Sequence, residues 1–150
     1  MNVLIIGSGG REHALAWKIL QSPRVDTVFV SPGNAGTYQD AVNVDLDQDD
    51  FAAMVRFAEK NAVGLTVVGP EAPLAAGIVD TFEAAGQKVF GPNKTAARLE
   101  ASKVFCKQIL KMAGVPTADY RAFTDPDLAI EMLEERFAGD GERPCHVVVK

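Results

Sequence analysis

The chain has 150 residues, 47% hydrophobic and 23% charged, an ordinary globular composition long enough to bury about two-thirds of its unfolded surface, which excludes disorder, collagen and fibres. Twenty acidic residues against fifteen Lys plus Arg give a net charge of −5; with no basic stripe, nucleic acid is not an expected partner. No apolar run approaches the ~20 residues that span a bilayer, so no membrane partner is expected either.

The N-terminal run Met1-Asn2-Val3-Leu4-Ile5-Ile6-Gly7 lacks a basic n-region and a small-residue cleavage site, so it reads as a buried strand of a cytoplasmic protein. Short apolar runs then alternate with segments of 3.6-residue period, the βαβα pattern of an α/β, doubly wound parallel sheet. Strands are expected at Val3–Ile6, Thr27–Val30, weakly at Val42–Val44, at Leu65–Val68 and at Lys88–Phe90. Phe51, Met54, Val55 and Ala58 form one helical stripe, and Ile78, Val79 and Phe82 form another that Gly86 closes.

After Phe90 the punctuation changes, and two helical segments follow with no strand between them, which places a domain boundary near residue 100. Phe105, Ile109 and Met112 share a face of a helix within Ser102 to Ala113 that Gly114 caps and Val115-Pro116 ends. Tyr120–Phe123 reads as a short strand. Asp125 is a candidate N-cap, with Pro126 in the first turn of a helix whose buried side carries Ile130, Leu133 and Phe137. A polar loop, Gly139 to Pro144, leads to a last strand over His146–Lys150 that lacks neighbours, so the second unit reads as cut short. Cys106 and Cys145 fit neither a disulfide framework nor metal-binding spacing and read as small apolar residues.

The strongest local signal is Gly7-Ser8-Gly9-Gly10-Arg11-Glu12-His13, directly after the first strand and opening the first helix. Glycines let backbone approach a ligand, and the free N–H groups of a helix start favour an anion, so the turn reads as a phosphate cradle. The sixth position of a dinucleotide fingerprint is occupied by Glu12, and no acidic residue ends the second strand. A phosphomonoester with a polar head therefore fits better than a dinucleotide. Arg11 is placed to add a bidentate phosphate contact, and Glu12 must either turn away or hold an amine or hydroxyl. His13 reads as packing or capping. Ser31-Pro32-Gly33-Asn34-Ala35-Gly36-Thr37 and Gly69-Pro70-Glu71-Ala72-Pro73 follow later strands and reach the same sheet edge. There Asn34 can donate or accept, and Glu71 offers a carboxylate between two prolines. Lys103 and Lys150 are point charges suited to nucleotide phosphates.

Four stretches stand in an order and spacing that match a known family: Gly-Ser-Gly-Gly-Arg-Glu-His-Ala-Leu-Ala-Trp-Lys at 7–18, Pro-Gly-Asn-Ala-Gly-Thr at 32–37, Val-Gly-Pro-Glu-Ala-Pro-Leu at 68–74 and Phe-Gly-Pro-Asn-Lys at 90–94. Over essentially its whole length the chain resembles the N-terminal part of the glycinamide ribonucleotide synthetases, or phosphoribosylamine–glycine ligases. The resemblance implies a Rossmann-like pre-ATP-grasp domain over residues 1–100 and the beginning of an ATP-grasp α+β unit over 101–150. It implies an ATP-dependent purine-pathway ligase whose partners are 5-phosphoribosylamine, glycine and ATP, with glycyl phosphate as intermediate. Gly9, Gly10, Arg11, Glu12, Gly33, Asn34 and Glu71 would then hold substrate, and Lys103 and Lys150 would contact the nucleotide. Mg²⁺ is implied too, with its ligands expected outside this chain, and no catalytic residue is assigned within it, so the chain by itself is expected to be inactive. The departures are Ala101, where the family commonly has Gly before Ser-Lys, and a longer polar loop at 139–144. Two alternatives stay open: another ATP-grasp carboxylate–amine ligase or carboxylase, and a stand-alone phosphometabolite-binding module. The Pro-Gly-Asn and Gly-Pro-Glu loops favour the first family over a carboxylase.

Overall fold

In the computed structural model, residues 1–138 and 147–149 are described. They divide into two compact units, Met1–Cys106 and Lys107–Lys150.

The first unit is built on five strands: β1 (Asn2–Gly7), β2 (Thr27–Pro32), β3 (Val42–Asn43), β4 (Val63–Val68) and β5 (Val89–Phe90). All are parallel, in the order β3-β2-β1-β4-β5, so α/β doubly wound topology is observed as expected. The order reverses between β1's two neighbours, which opens a ligand-accessible crevice at the carboxyl ends of β1, β2 and β4. β1 is an unbroken apolar run because helices cover both of its faces. Leu4 and Ile6 enter a core with Met54, Ala58, Ile78, Val79 and Phe82, while Val3 and Ile5 enter another with Ala16, Val28, Val30 and Val67.

The helices follow from the same pattern. The glycine turn opens α1 (Gly10–Leu20), which buries Ala16, and a single turn α2 (Thr37–Asp40) precedes β3. Asp50 caps α3 (Phe51–Lys60) by accepting from the Ala53 N–H at 2.8 Å, and the expected stripe is its buried face. Phe57 on this helix meets Phe29 edge-to-face, with ring centroids 5.3 Å apart.

The apolar stripe at Ile78, Val79 and Phe82 belongs to a helix that does not run on from Glu71. Gly77, at φ 103°, ends α4 (Glu71–Ala76) and restarts the chain as α5 (Ile78–Ala84). Asn93 then caps α6 (Lys94–Ala101), and α7 (Lys103–Met112) follows with no intervening strand. Arg98 sits over the Phe105 ring at 4.1 Å.

In the second unit, Gly114 closes α7 at φ 66°, and Asp125 caps α8 (Pro126–Phe137) by accepting from the Asp127 N–H at 2.9 Å. Two strand expectations do not hold. Tyr120–Phe123 is not a strand: Lys107 Nζ donates to Thr117 Oγ1 and the Ala118 carbonyl at 2.6 Å each, fixing the segment just before it as loop, and no described strand lies beside it. Val147–Val149 are likewise exposed and outside any ladder, because an apolar run becomes a strand only where a neighbour pairs with its backbone. His146, Lys150 and Cys145 lie outside the described residues. Cys106 is a half-buried free thiol.

Candidate functional site

Three strand ends meet at one edge of the first unit. Beyond the last ladder pairs, the Gly33 N–H donates to the Gly7 carbonyl at 3.2 Å and the Gly69 N–H donates to the Ile6 carbonyl at 3.1 Å. The three loops that leave this edge are therefore held in register by continuation of the sheet itself.

The glycine turn is organised around a carboxylate. Glu12 is only 3% exposed, and its Oε2 accepts from the Gly9 N–H at 2.6 Å, the reach from the third helical position back to the N-cap that a capping box uses. A Cβ on Gly7 would lie 2.6 Å from Glu12 Cγ, one on Gly9 2.8 Å from its Oε2, and one on Gly69 2.7 Å from its Cδ. Any side chain at these three positions would displace the carboxylate; at Gly9 and Gly69 the requirement for glycine comes from Glu12, while Gly7 is also held to glycine by its φ of 131°. Gly10 differs: a Cβ there meets nothing within 4 Å. With the Gly9 N–H taken by Glu12, the N–H groups at Gly10, Arg11 and Glu12 are those that the helix start leaves without an intrahelical acceptor. Glu12 Oε1 is buried without a hydrogen-bond partner, an arrangement that costs about 1–3 kcal/mol unless a donor reaches it.

Asn34 clamps the second loop to the first. Its Nδ2 donates to the Ser8 carbonyl at 2.8 Å, while its Oδ1 accepts from the Gly36 and Thr37 N–H groups at 2.7 and 3.0 Å. Asn43 braces the same loop: its Nδ2 donates to the Asn34 carbonyl at 2.8 Å, and its Oδ1 accepts from buried Thr37 Oγ1 at 2.7 Å. Gly33, at φ 73°, leaves the space that the Asn43 amide fills. His13 Nε2 lies 3.2 Å from Asp40 Oδ2, and its ring occupies the space beside Gly36. The packing reading of His13 agrees with this position.

The third loop delivers Glu71 as the first residue of α4, not as a free loop residue between prolines. Its Oε1 accepts from Arg11 Nη2 at 3.1 Å. The Glu71 carboxyl is held below the usual carboxylate range, first by its own backbone N–H and then by Arg11, with Glu100 adding a smaller contribution. The Arg11 guanidinium is raised in turn, mainly by Glu71. Both side chains are well exposed, so the pair is open to competition from a ligand anion.

The structure thus brings together Gly9, Gly10, Arg11, Glu12, Gly33, Asn34 and Glu71. Lys103 stands exposed at the first position of α7, and Lys150 lies outside the described residues. Sequence reasoning missed Asn43, Thr37 and the His13–Asp40 pair. Only Glu12's spacing from Gly9 carried a signal, since three residues separate an N-cap from its capping-box partner. Among the described residues, no group of three or more His, Cys, Asp or Glu is arranged to hold a metal ion, and no helix is long and apolar enough to cross a membrane. A hollow of about 310 Å³ in the second unit is lined by Lys111, Gly114 and the residues up to Tyr120, none of them a candidate residue.

Comparison with known proteins bears on this arrangement. The family model for the phosphoribosylglycinamide synthetase N domain matches residues 1–100. A phosphoribosylamine–glycine ligase of Rhodopirellula baltica is 58% identical over 149 residues, which are 99% of this chain and 34% of that protein. The ligase of the same name from Escherichia coli K12 is 54% identical over 140 residues, 92% of this chain and 33% of its own length. The chain therefore spans about a third of these curated relatives. Among solved structures, the phosphoribosylamine–glycine ligase of Thermotoga maritima superposes with a TM-score of 0.64 at 31% identity, covering 90% of this chain and 30% of that one. N5-carboxyaminoimidazole ribonucleotide synthetase from Thermus thermophilus, at TM-score 0.62 and 23% identity, shares the fold. On the family match and the level of identity, the chain belongs to the phosphoribosylglycinamide synthetase family, with residues 1–100 as its N domain.

Proposed function

We propose that the first unit is the substrate-holding domain of a cytoplasmic ligase that joins glycine to 5-phosphoribosylamine at the expense of ATP. In this reaction the glycine carboxylate takes the γ-phosphoryl group of ATP, giving glycyl phosphate and ADP. The amine of phosphoribosylamine then attacks the acyl carbon and expels phosphate, leaving glycinamide ribonucleotide. The observation that carries the reading is the convergence of Arg11, Asn34 and Glu71, from three separate strand ends, on one hydrogen-bonded site beside an open helix start.

Each residue then has a role set by its chemistry. The Gly10 and Arg11 N–H groups and the Arg11 guanidinium bind the 5-phosphate. Glu71 suits the amine and hydroxyl donors of the sugar head, Glu12, enclosed at 3% exposure, holds the turn in shape, and Asn34 and Gly33 keep the second loop closed over the turn. The gain comes from positioning: the amine is held where the acyl phosphate will form. Lys103, in the boundary segment between the N domain and the start of an ATP-grasp unit, adds a positive charge for nucleotide phosphate, and Lys150 is assigned the same role. The Mg²⁺ that accompanies ATP is assigned to ligands outside this chain.

The test is calorimetric titration of the chain with ribose 5-phosphate, together with kinetics of a complete ligase bearing the same substitutions. Binding that disappears in Arg11→Ala, and a raised KM for phosphoribosylamine in Arg11→Ala and Glu71→Ala, are expected. Unchanged kinetics in both variants would remove the assigned roles.

A further inference from the structure

We propose that Glu12 is the positioning residue of the phosphate-binding turn, and that Gly9 and Gly69 are glycines to accommodate its carboxylate and not to admit the ligand. The proposal deepens the substrate-holding reading and rests on it for the identity of the ligand.

Three observations carry it. Glu12 is 3% exposed, although it stands in the first turn of a surface helix beside two exposed neighbours of the turn, Gly10 and Arg11. Its Oε2 takes the Gly9 N–H at 2.6 Å, which fixes the peptide that leads into α1. Finally, the space around the carboxylate is closed by glycines from two different strand ends, β1 and β4, at distances where no Cβ fits. A carboxylate enclosed in this way locks the turn to the start of β4's following loop.

The consequence is a division of labour within one short motif. The Gly9 N–H donates inward and is unavailable to ligand, while the Gly10, Arg11 and Glu12 N–H groups are left to donate outward. Removing the carboxylate would free the Gly9 peptide to rotate, and the outward N–H groups would lose their common direction. Crowding the carboxylate from Gly69 should do the same without altering the turn's own sequence.

The experiment compares Glu12→Ala, Glu12→Gln and Gly69→Ala in the chain, reading ribose 5-phosphate affinity by calorimetry and the Gly9 amide resonance by ¹H–¹⁵N NMR. Glu12→Ala and Gly69→Ala are expected to weaken binding about tenfold, the effect of losing one charge-assisted hydrogen bond. In both, the Gly9 amide proton should move upfield from its strongly hydrogen-bonded position. Glu12→Gln keeps an acceptor oxygen of the same reach and should hold both readouts, with affinity within about threefold. Gly69→Ala and Glu12→Gln decide the matter if Glu12→Ala fails to fold. Native affinity or an unmoved Gly9 resonance in Gly69→Ala overturns the proposal, and so does a loss in Glu12→Gln as large as in Glu12→Ala. Should the unsubstituted chain not bind ribose 5-phosphate, the substrate reading fails, and the Gly9 resonance across the three variants decides the positioning role by itself.

Discussion

Replacing Asn34 by Ala tests whether the second loop is clamped as the geometry indicates. The side chain makes two acceptor bonds within its own loop, to the Gly36 and Thr37 N–H groups, both part-buried. It also makes a more exposed donor bond across to the Ser8 carbonyl at 2.8 Å, with a longer approach to the Gly9 carbonyl at 3.4 Å. Counting the part-buried pair at about 1 kcal/mol each and the exposed bond at about 0.5 kcal/mol gives a loss of roughly 2–3 kcal/mol. In a domain of this size each kcal/mol moves the thermal midpoint by about 4–8 °C, so a fall of roughly 10–20 °C is expected. Asn34→Asp separates the two halves of the clamp. It retains both acceptor bonds, removes the donor and sets a carboxylate against two carbonyls, so it should cost about 1–2 kcal/mol and loosen the glycine turn more than the second loop. Urea unfolding of the three proteins, read by far-ultraviolet circular dichroism, measures both costs. A loss below about 0.5 kcal/mol in Asn34→Ala would refute the clamp. Native stability in Asn34→Asp would confine the role of Asn34 to its own loop.

Other substitutions test the site and the core. Gly10→Ala adds a methyl to open space in a helix, so stability should hold or rise by a few tenths of a kcal/mol while ribose 5-phosphate affinity falls; equal affinity would mean that the ligand does not approach this peptide. Phe82, fully buried among the residues of the larger core, should cost about 3–5 kcal/mol on truncation to Ala, and a loss under about 1 kcal/mol by urea titration would contradict the packing. The Arg11–Glu71 pair predicts a pH dependence. Because the folded-state carboxyl lies below its unfolded value, the contribution is present above the ordinary carboxylate range of about 4.3 and is lost as pH falls through the lowered folded value. The stability difference between the wild-type chain and Arg11→Ala should be small, shrink between pH 6 and pH 3 (~3 units across the carboxylate range), and shrink again in ~1 M salt. A difference indifferent to pH and salt would show that Arg11 acts through packing alone.

The parallel sheet was legible in the sequence because a strand buried on both faces must be apolar at every position, as β1 is from Val3 to Ile6. Helix ends were legible where a single residue type does the work: Asp125 at an N-cap, Gly86 and Gly114 at positive φ. The location of the candidate site was legible too, since loops after parallel strands share one edge. What the sequence could not show is which groups meet there. Tyr120–Phe123 has strand composition without a neighbouring strand, and pairing is a property of the neighbour. Arg11 and Glu71 are 60 residues apart, and nothing local announces that they touch. Glu12 reads as a misplaced charge in a phosphate turn until the fold brings Gly69 from β4 against it. The glycines then turn out to serve a side chain, because close approach is a relation between segments, and only the tertiary structure supplies the second segment.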